Sequence, residues 1–319
     1  MKKLLYMICI AVLSVANCKE KEKSDDTTNF GLLAIAASLS SGITEIPFQI
    51  VAGSDTAPKC NKLIQGHSGS VMDTKHISES MNFYIKDARF YVHDVKLVKA
   101  DGSTVDFTLT SDNKWQTSKV ALLDFEDKTG DCTGTTETNT SIKGTAPAGS
   151  YVGVQFKVGV PFDLNHLNST TADAPLNNSG MFWAWASGYI FMKFDWAAKE
   201  GAGTSNSFHL GSVGCNGSGT SVLTTSCTYP NRPTITIKTS GSVTWNPTAN
   251  PVYFDIKALV SGTNSNLSSS GKAYTCMAGN NGGMSGTTAA DCKILLNNVG
   301  VNETDGTSAS VQSTFYLKP

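Results

Sequence analysis

Two tryptophans separated by a single residue place two large, oxidisable indole rings next to each other. The side chains of Met181, Trp183 and Trp185 project to the same side of an extended backbone, because side chains alternate along a strand. Taken alone, such a stretch indicates a packed core or an aromatic binding platform. Three histidines elsewhere in the chain favour a different interpretation.

His93 lies within an apolar run that is predicted to form a strand. At period two it shares the more apolar face with Tyr91, Val95 and Leu97, so its side chain is expected to point inward. A buried imidazole needs a hydrogen-bond partner or a metal ion. His93 is therefore either a satisfied core histidine or a metal ligand.

His166 and His209 lie where the pattern of the chain changes. His166 follows the end of a predicted strand and begins a polar loop, a position where functional residues are common. His209 lies in a short predicted strand, on the less apolar side, opposite Phe208 and Leu210. Both are candidate ligands, and a turn-capping or exposed histidine is the alternative for each.

The sequence contains no motif of a hydrolase nucleophile elbow, a zinc protease, a covalently attached haem or a phosphate-binding loop. We therefore predict that the protein is not an enzyme. Imidazoles and thioethers, with the thiols locked in disulfides, form a ligand set that suits copper, above all Cu(I). Calcium is disfavoured because no loop with regularly spaced Asp residues occurs.

The amino terminus has the pattern of an export signal. A basic start is followed by a short apolar run that ends at Cys18. We interpret residues 1–17 as a lipoprotein signal peptide, Cys18 as the lipidated residue and residues 18–44 as a tether; a plain secretory signal is the alternative. The next apolar stretch, Phe30–Leu39, is too short to span a bilayer.

Six cysteines follow this leader, and an even number in an exported chain indicates disulfides. Sequence alone does not choose among the possible pairings, and local closure is the simplest expectation. None shows the close spacing of a zinc site, so metal ligation by thiolates is the lesser alternative. The expected pairs are Cys60–Cys132, Cys215–Cys227 and Cys276–Cys292.

Charge and composition narrow the class of protein. The chain has 25 basic and 26 acidic residues, and no basic cluster follows the signal, so nucleic-acid binding is not expected. Charged residues make up 16% of the chain, while Gly, Ser, Thr and Asn are abundant. This composition is typical of an extracytoplasmic β protein with long loops.

Strand patterns recur along the chain, whereas helical periodicity is scarce. We predict an all-β fold, a single β-sandwich-like domain over residues 45–319 with long loops and disulfides. Asp291–Val299 and Ile256–Val260 are predicted as short helices, and Asn216–Ser226 and Ser261–Gly271 as exposed polar insertions. The predicted strands are Glu45–Ala52, Met81–Lys99, Thr104–Leu109, Lys119–Phe125, Tyr151–Val160, Tyr189–Trp196, Pro233–Lys238, Pro251–Ile256 and Ser313–Leu317.

Six motifs in order make the chain similar to a known family. Together they resemble the MbnP-like family, the copper-binding partner of the methanobactin-linked metallo-mystery pair. The resemblance extends from about Ile46 to the carboxyl terminus. The motifs are Phe90–Val95, Val120–Glu126, Gly159–His166, Met181–Trp185, Phe208–Ser212 and Pro230–Pro233.

The resemblance implies a specific chemistry. In the family, the first tryptophan of the Trp-x-Trp motif is oxidised to kynurenine by a partner dihaem enzyme of the MauG/cytochrome c peroxidase type. Copper is then held as Cu(I) at a site that depends on this modification. On this chain the modified residue is Trp183, and Trp185 either relays oxidising equivalents or packs. The candidate copper ligands, in addition to Trp183, are His93, His166 and His209, with Met181 as a supplementary soft donor.

We therefore expect a lipid-anchored protein of the outer membrane, the periplasm or the cell surface. It would bind a single copper ion and act in copper homeostasis or acquisition. The main alternative is a surface adhesin or glycan-binding module in which the unmodified tryptophans form an aromatic platform. A third possibility, an oxidative enzyme that uses the same copper, is disfavoured because Cu(I) fully ligated by the protein leaves no open position for a substrate.

Overall fold

The computed structural model describes residues 42–65, 82–184, 187–198, 205–216, 226–263, 275–278, 284–285 and 289–318. All of these ranges belong to one unit, Leu39–Pro319. The predicted signal peptide, Cys18 and most of the tether lie outside the described residues. The same holds for Trp185 and for most of the two predicted polar insertions.

Short β-strands dominate the described residues, as the alternating pattern predicts. They are β1 (Glu45–Val51), β2 (Phe83–Val98), β3 (Thr104–Asp106), β4 (Thr108–Leu109), β5 (Val120–Asp124), β6 (Ser141–Thr145), β7 (Gly153–Val158), β8 (Phe182–Ala184), β9 (Gly188–Tyr189), β10 (Met192–Ala198), β11 (Ser205–Leu210), β12 (Val213–Cys215), β13 (Cys227–Tyr229), β14 (Thr234–Lys238), β15 (Val252–Asp255), β16 (Thr275–Ala278), β17 (Met284–Ser285) and β18 (Phe315–Tyr316).

Helices are few and short in the described parts of the chain. They are α1 (Phe162–Asn165), α2 (Ile256–Val260), α3 (Ala289–Val299) and the 3-10 turns Ser179–Met181 and Ser240–Ser242. The helix α2 begins at Asp255, whose carboxylate accepts the backbone N–H groups of Lys257 and Ala258. None of the helices among the described residues is long and apolar enough to cross a membrane.

Two sheets face each other across an aromatic core, which confirms the predicted β-sandwich. Among the described residues, one sheet has the order β18-β15-β1-β6-β4 and the other β14-β7-β2-β10-β11-β16-β17, with β3 and β5 also paired to β2. Phe90 of β2 lies 5.0 Å from Phe254 of β15, between ring centroids, and Phe48 of β1 lies 5.5 Å from Phe156 of β7. Edge-to-face contacts of this kind fix the spacing of the two sheets.

The long strand β2 has a second, outer face that points away from this core. A β-bulge lies in its second half: Lys157 of β7 is opposite His93, and Gln155 is opposite Lys96. Three steps along β2 therefore match two steps along β7, which shifts the alternation of side chains by one residue. Consequently His93 and Lys96 share the outer face.

The bulge corrects one prediction about His93. The alternation predicts that His93 shares a face with Val95 and Leu97, and this is wrong because the extra residue moves both to the inner face. Tyr91 precedes the bulge and stays on the outer face with His93. Both side chains are nevertheless buried, at 0% and 7% exposure, so another part of the chain must cover them.

The 160–190 segment covers these two side chains. It leaves the large sheet at Gly159 and returns to it at Phe191, and both of these residues are hydrogen-bonded to Tyr91. The N–H of Gly159 donates to the carbonyl of Tyr91 at 2.8 Å, and the N–H of Tyr91 donates to the carbonyl of Phe191 at 2.9 Å. The N–H and C=O groups of one residue in an antiparallel strand point to the same edge of that strand. Since those of Tyr91 bond to Phe191 and Gly159, β10 and β7 follow one another along one edge of β2. The segment between them folds over the outer face, where Pro175 accepts the Tyr91 hydroxyl at 3.1 Å.

The same insertion divides one predicted strand. The pattern predicts a continuous strand Tyr189–Trp196, whereas the structure has β9 paired with β8 and β10 paired with β2 and β11. The break at Ile190 and Phe191 is where the chain returns to the sheet. The strands β6, β8, β12, β13, β16 and β17 have no counterpart among the predicted strands, because they are too short or too polar to show alternation.

Three disulfides hold the loops to this framework, in the pairing expected from local closure. The bonds join Cys60 to Cys132, Cys215 to Cys227 and Cys276 to Cys292. The second of these bridges the paired strands β12 and β13, directly after the strand that carries His209.

Candidate metal centre

Trp183 lies on the short strand β8 of the inserted segment, half-buried against the core. Its indole ring occupies the position that a side chain at residue 211 would need. A Cβ atom built on Gly211 would lie 2.5 Å from Cζ3 and 2.9 Å from Cη2 of Trp183. Gly211 therefore makes room for the ring, and Met181, two residues before Trp183, is fully buried.

His209 lies two residues before Gly211, with the alternation that the sequence predicts. It is half-buried, between the buried residues Phe208 and Leu210. Its Nε2 lies 2.8 Å from the carboxylate Oδ1 of Asp195 on the neighbouring strand β10. Since a carboxylate only accepts hydrogen bonds, Nε2 is the donor and Nδ1 is the nitrogen left to ligate a metal.

A chain of charged side chains leads from His209 across the outer face. Lys193 of β10 lies opposite both His209 of β11 and Arg89 of β2. Asp87 joins the two cations: its carboxylate accepts Nε of Arg89 at 2.7 Å and lies 3.0 Å from Nζ of Lys193. These paired side chains balance one another's charge beneath the inserted segment, because buried ions need partners of opposite charge.

Asp124 of β5 lies opposite Arg89 and is completely buried. Burial raises the pKa of its carboxyl group to about 8, and the nearby Arg89 opposes this only in part. Its Oδ2 has no hydrogen-bond partner among the residues that the structure describes, while Oδ1 accepts the backbone N–H of Glu126 at 3.2 Å. The protonated acid is therefore the favoured form at neutral pH.

His93 lies in the part of the outer face where the inserted segment begins. Its Nδ1 lies 2.8 Å from the carbonyl oxygen of Gly159, so Nδ1 carries the proton and Nε2 the lone pair. Burial is the main cause that lowers the pKa of His93 to about 4. The positive charges of Arg232 and Lys157 lower this pKa further, whereas the hydrogen bond to the Gly159 carbonyl raises it. The ring is thus neutral near pH 7, which is the form that binds metals.

Arg232 connects the surroundings of His93 with those of His166. Its guanidinium lies 4.7 Å from the ring centroid of Phe191 and 5.6 Å from that of Phe162. The Phe162 ring in turn lies 5.5 Å from the imidazole of His166. Burial lowers the pKa of Arg232 to about 10, so the side chain is a buried cation at neutral pH.

His166 follows the four-residue helix α1 and is tied to the tryptophan hairpin through Asn165. The amide Nδ2 of Asn165 lies 3.1 Å from Nε2 of His166, and its Oδ1 accepts the backbone N–H of Tyr189 at 3.0 Å. Because Oδ1 accepts, Nδ2 is the donor and Nε2 of His166 carries the lone pair. The same Nε2 lies 3.8 Å from Sγ of Cys227.

The structure thus brings the predicted site residues to one region without joining them into a metal site. Each of the three imidazoles has one ring nitrogen oriented by a hydrogen bond to its neighbours. Among the described residues, the groups of three side chains whose ligand atoms lie within 4.8 Å of one another are His166–Cys215–Cys227 and Cys60–Glu126–Cys132. Neither group contains two of the histidines, so the predicted set of copper ligands stays a prediction. Trp185 lies outside the described residues.

Several residues around these histidines were not assigned a role from the sequence. Asp195 and Asp87 are charged residues inside apolar strands, a signal that a buried ion network could have explained. Asn165 and Arg232 fall inside two of the six motifs, but spacing alone does not show what they contact. Their roles depend on contacts between distant segments, which no local pattern reports.

Comparisons with known proteins agree with this architecture. A sequence model of the MbnP family matches residues 44–278. A solved structure of MbnP from Methylosinus trichosporium is similar to this one with a TM-score of 0.65 and 25% sequence identity, covering 86% of this chain and 97% of that chain. Among curated proteins, no sequence matches this chain.

Proposed function

The chain belongs to the MbnP family, and on this premise we propose that it binds a single copper ion, held as Cu(I), after Trp183 is oxidised to kynurenine. The observation that carries the proposal is the packing of the Trp183 ring on Gly211, which follows the end of the strand that carries His209. We propose that an oxidised side chain at position 183 and the His209 imidazole contribute to one site. The protein acts in copper homeostasis or acquisition and is not itself a catalyst.

The residues present fit a soft, monovalent copper ion. Cu(I) prefers imidazole and thioether donors, and the described cysteines are all in disulfides. The donors we assign are Nδ1 of His209, Nε2 of His93, Nε2 of His166 and the buried Met181 thioether. The hydrogen bonds of His209 to Asp195 and of His93 to Gly159 orient these two rings through the nitrogen that does not bind the ion, as the outer partners of metal-binding histidines do. Nε2 of His166 accepts the Asn165 amide, and the copper ion would take the place of that hydrogen bond.

Opening the indole of Trp183 changes what the side chain can donate. Kynurenine carries an aryl amine and a ketone, whereas the indole N–H offers no lone pair. The modified residue would therefore add a donor that tryptophan lacks. The oxidation needs an external oxidant, and we propose a partner dihaem enzyme of the MauG/cytochrome c peroxidase type, with Trp185 relaying oxidising equivalents or packing.

We further propose that Cys18 is lipidated and anchors the protein at the outer membrane, on the periplasmic or the outer side. Residues 19–44 would then be the tether between the lipid and the sandwich.

Mass spectrometry of the protein from its native host tests the central step. Conversion to kynurenine loses one ring carbon and gains one oxygen, so peptides with Trp183 should gain about 4 mass units. The modified protein should contain one equivalent of copper, and a Trp183→Phe variant should contain none. Protein made without the dihaem partner is the matched control and should carry neither the mass change nor the copper.

An unmodified Trp183 in copper-replete cells that make the partner enzyme would contradict the proposal. The rival function, an adhesin or glycan-binding module with an unmodified tryptophan platform, would then gain support. Against that rival stands the packing of one edge of the half-buried Trp183 ring on Gly211, which leaves less of the ring for a sugar than a fully exposed platform would offer.

A further inference from the structure

The side chains of Cys215, Cys227 and His166 lie close enough to share one ion. Their ligand atoms all lie within 4.8 Å of one another, and Nε2 of His166 is 3.8 Å from Sγ of Cys227. In a tetrahedral site with a metal–nitrogen bond of about 2.0 Å and a metal–sulfur bond of about 2.3 Å, nitrogen and sulfur are about 3.5 Å apart. The observed distance between Nε2 of His166 and Sγ of Cys227 is therefore close to the distance that a shared metal ion requires.

We propose that reduction of the Cys215–Cys227 disulfide opens a second metal site, in which these two thiolates and His166 bind a d10 cation, Cu(I) or Zn(II). Thiolate and imidazole together are the ligand set that such cations prefer. The site needs no modification of Trp183. Because His166 is also a proposed ligand of the copper site above, the two sites would compete for this imidazole.

This disulfide is the one that a reductant can reach most readily among those described. Cys215 and Cys227 are half-buried, whereas the cysteines of the other two pairs are at most 7% exposed. It also closes the shortest loop, with a sequence separation of 12 against 16 and 72 for the others. A short loop gives the smallest entropic stabilisation by a disulfide.

The two thiols would stay side by side after reduction, because other contacts hold their strands. Val213 pairs with Tyr229 in the same hairpin. Beyond the disulfide, the N–H of Asn216 donates to the carbonyl of Ser226 at 2.9 Å, and Oδ1 of Asn216 accepts the N–H of Ser226 at 2.7 Å. The hairpin thus keeps both Cβ atoms on one side, facing His166.

The other group of three lacks these properties. Cys60, Glu126 and Cys132 are all buried. The Glu126 carboxylate already accepts the backbone N–H groups of Lys128 at 2.9 Å and Thr135 at 3.1 Å. Its oxygens are therefore committed to holding the loop, and a reductant has little access to the sulfurs.

The redox step balances with a dithiol reductant. One of its thiolates attacks a sulfur of the disulfide, the second closes the reductant into a cyclic disulfide, and two electrons and two protons pass to Cys215 and Cys227. Each thiol then loses a proton as it binds the cation. Nε2 of His166 already carries a lone pair, so the cation replaces the hydrogen bond from Asn165 without a further proton.

The experiment uses the full chain with the substitution Trp183→Phe, which removes the proposed kynurenine-dependent site. Graded amounts of dithiothreitol followed by alkylation and mass spectrometry show which disulfide opens first. At the dose that opens Cys215–Cys227 alone, we expect one Co(II) per chain with thiolate-to-cobalt charge-transfer absorption, and one Cu(I) by chelator competition. The oxidised protein should show neither.

Two variants complete the test. His166→Ala should weaken Cu(I) binding by the reduced protein at least about 10-fold, and the double change Cys215→Ser and Cys227→Ser, which leaves the other disulfides intact, should abolish it. Asn168→Ala, which removes only local side-chain bonds to Thr170 two residues after His166, is the matched control and should leave binding unchanged. Earlier opening of another disulfide, or Co(II) and Cu(I) binding that is insensitive to His166→Ala, would overturn the proposal.

Discussion

The indole ring of Trp183 fills the space beside Gly211, and a methyl group at position 211 would lie 2.5 Å from its Cζ3 atom. We therefore predict that Gly211→Ala displaces the ring and lowers the free energy of unfolding by about 1–3 kcal/mol. The displaced ring should also be a poor substrate for oxidation. Denaturant unfolding and the yield of kynurenine in cells with the partner enzyme measure the two effects.

A double-mutant cycle separates the ring contact from other strain at position 211. The same methyl group would lie 2.9 Å from the backbone oxygen of Tyr189, which is present whatever residue 183 is. In a Trp183→Ala background, Gly211→Ala should therefore cost less but not nothing. Equal costs in the two backgrounds would show that the ring is not what the glycine accommodates.

Asp195 orients His209, and its loss should weaken copper binding without removing a ligand. We expect Asp195→Ala to lower the affinity of kynurenine-containing protein for Cu(I) by about 10–100-fold, because the imidazole loses the acceptor for Nε2. Chelator competition measures the affinity. Asp163→Ala, which removes an exposed carboxylate paired with Lys119, is the control and should have no effect.

Asn165 joins His166 to the tryptophan hairpin, so its side chain should matter for stability. Asn165→Ala leaves the buried N–H of Tyr189 without its acceptor and should lower the free energy of unfolding by about 1–3 kcal/mol. Asn168→Ala removes only a local bond to the N–H of Thr170 and should cost clearly less.

Asp124 gives the stability of the protein a pH dependence of unusual sign for a carboxyl group. Its pKa is raised from 3.8 to about 8 in the folded state, so folding holds the proton more tightly than the unfolded chain does. The contribution is fully present below pH 3.8 and is lost as the pH rises through about 8. The shift corresponds to about 6 kcal/mol at most.

Asp124→Asn removes this ionisation, so the loss of stability across that pH range should be smaller in the variant than in the parent. Denaturant unfolding at a series of pH values measures the difference between the two proteins. Glu126, whose pKa burial also raises, titrates in both and largely cancels. A parallel pair of stability curves would contradict the buried, proton-bearing state of Asp124.

The sandwich was predictable because its strands are long and alternate clearly. β1, β7 and β14 have apolar residues at every second position, and two facing sheets are the usual way to bury such faces. Local closure led to the observed disulfide pairing for a simpler reason, since two of the pairs are close in sequence, although the sequence did not exclude the other pairings. Short strands such as β8, β9 and β12 have too few residues to show a period.

The surroundings of the histidines could be predicted only in part. His209 follows the alternation of its strand, so its face was correctly predicted. His93 does not, because the bulge before Lys96 reverses the alternation and leaves no mark in the apolar pattern. The contacts of His166 with Asn165 and Cys227 arise because a distant hairpin meets a short helix, and that meeting depends on the packing of the whole fold.

The insertion of the 160–190 segment at one residue has a consequence for how such sites diversify. Its two ends, Gly159 and Phe191, are bonded to the two backbone groups of Tyr91, so the sheet continues along that edge whatever lies between them. The entropy of closing a loop grows only slowly with its length. We therefore expect that the 160–190 segment tolerates changes in length and sequence. The residues around the tryptophans can then differ between related proteins while the sandwich keeps its fold.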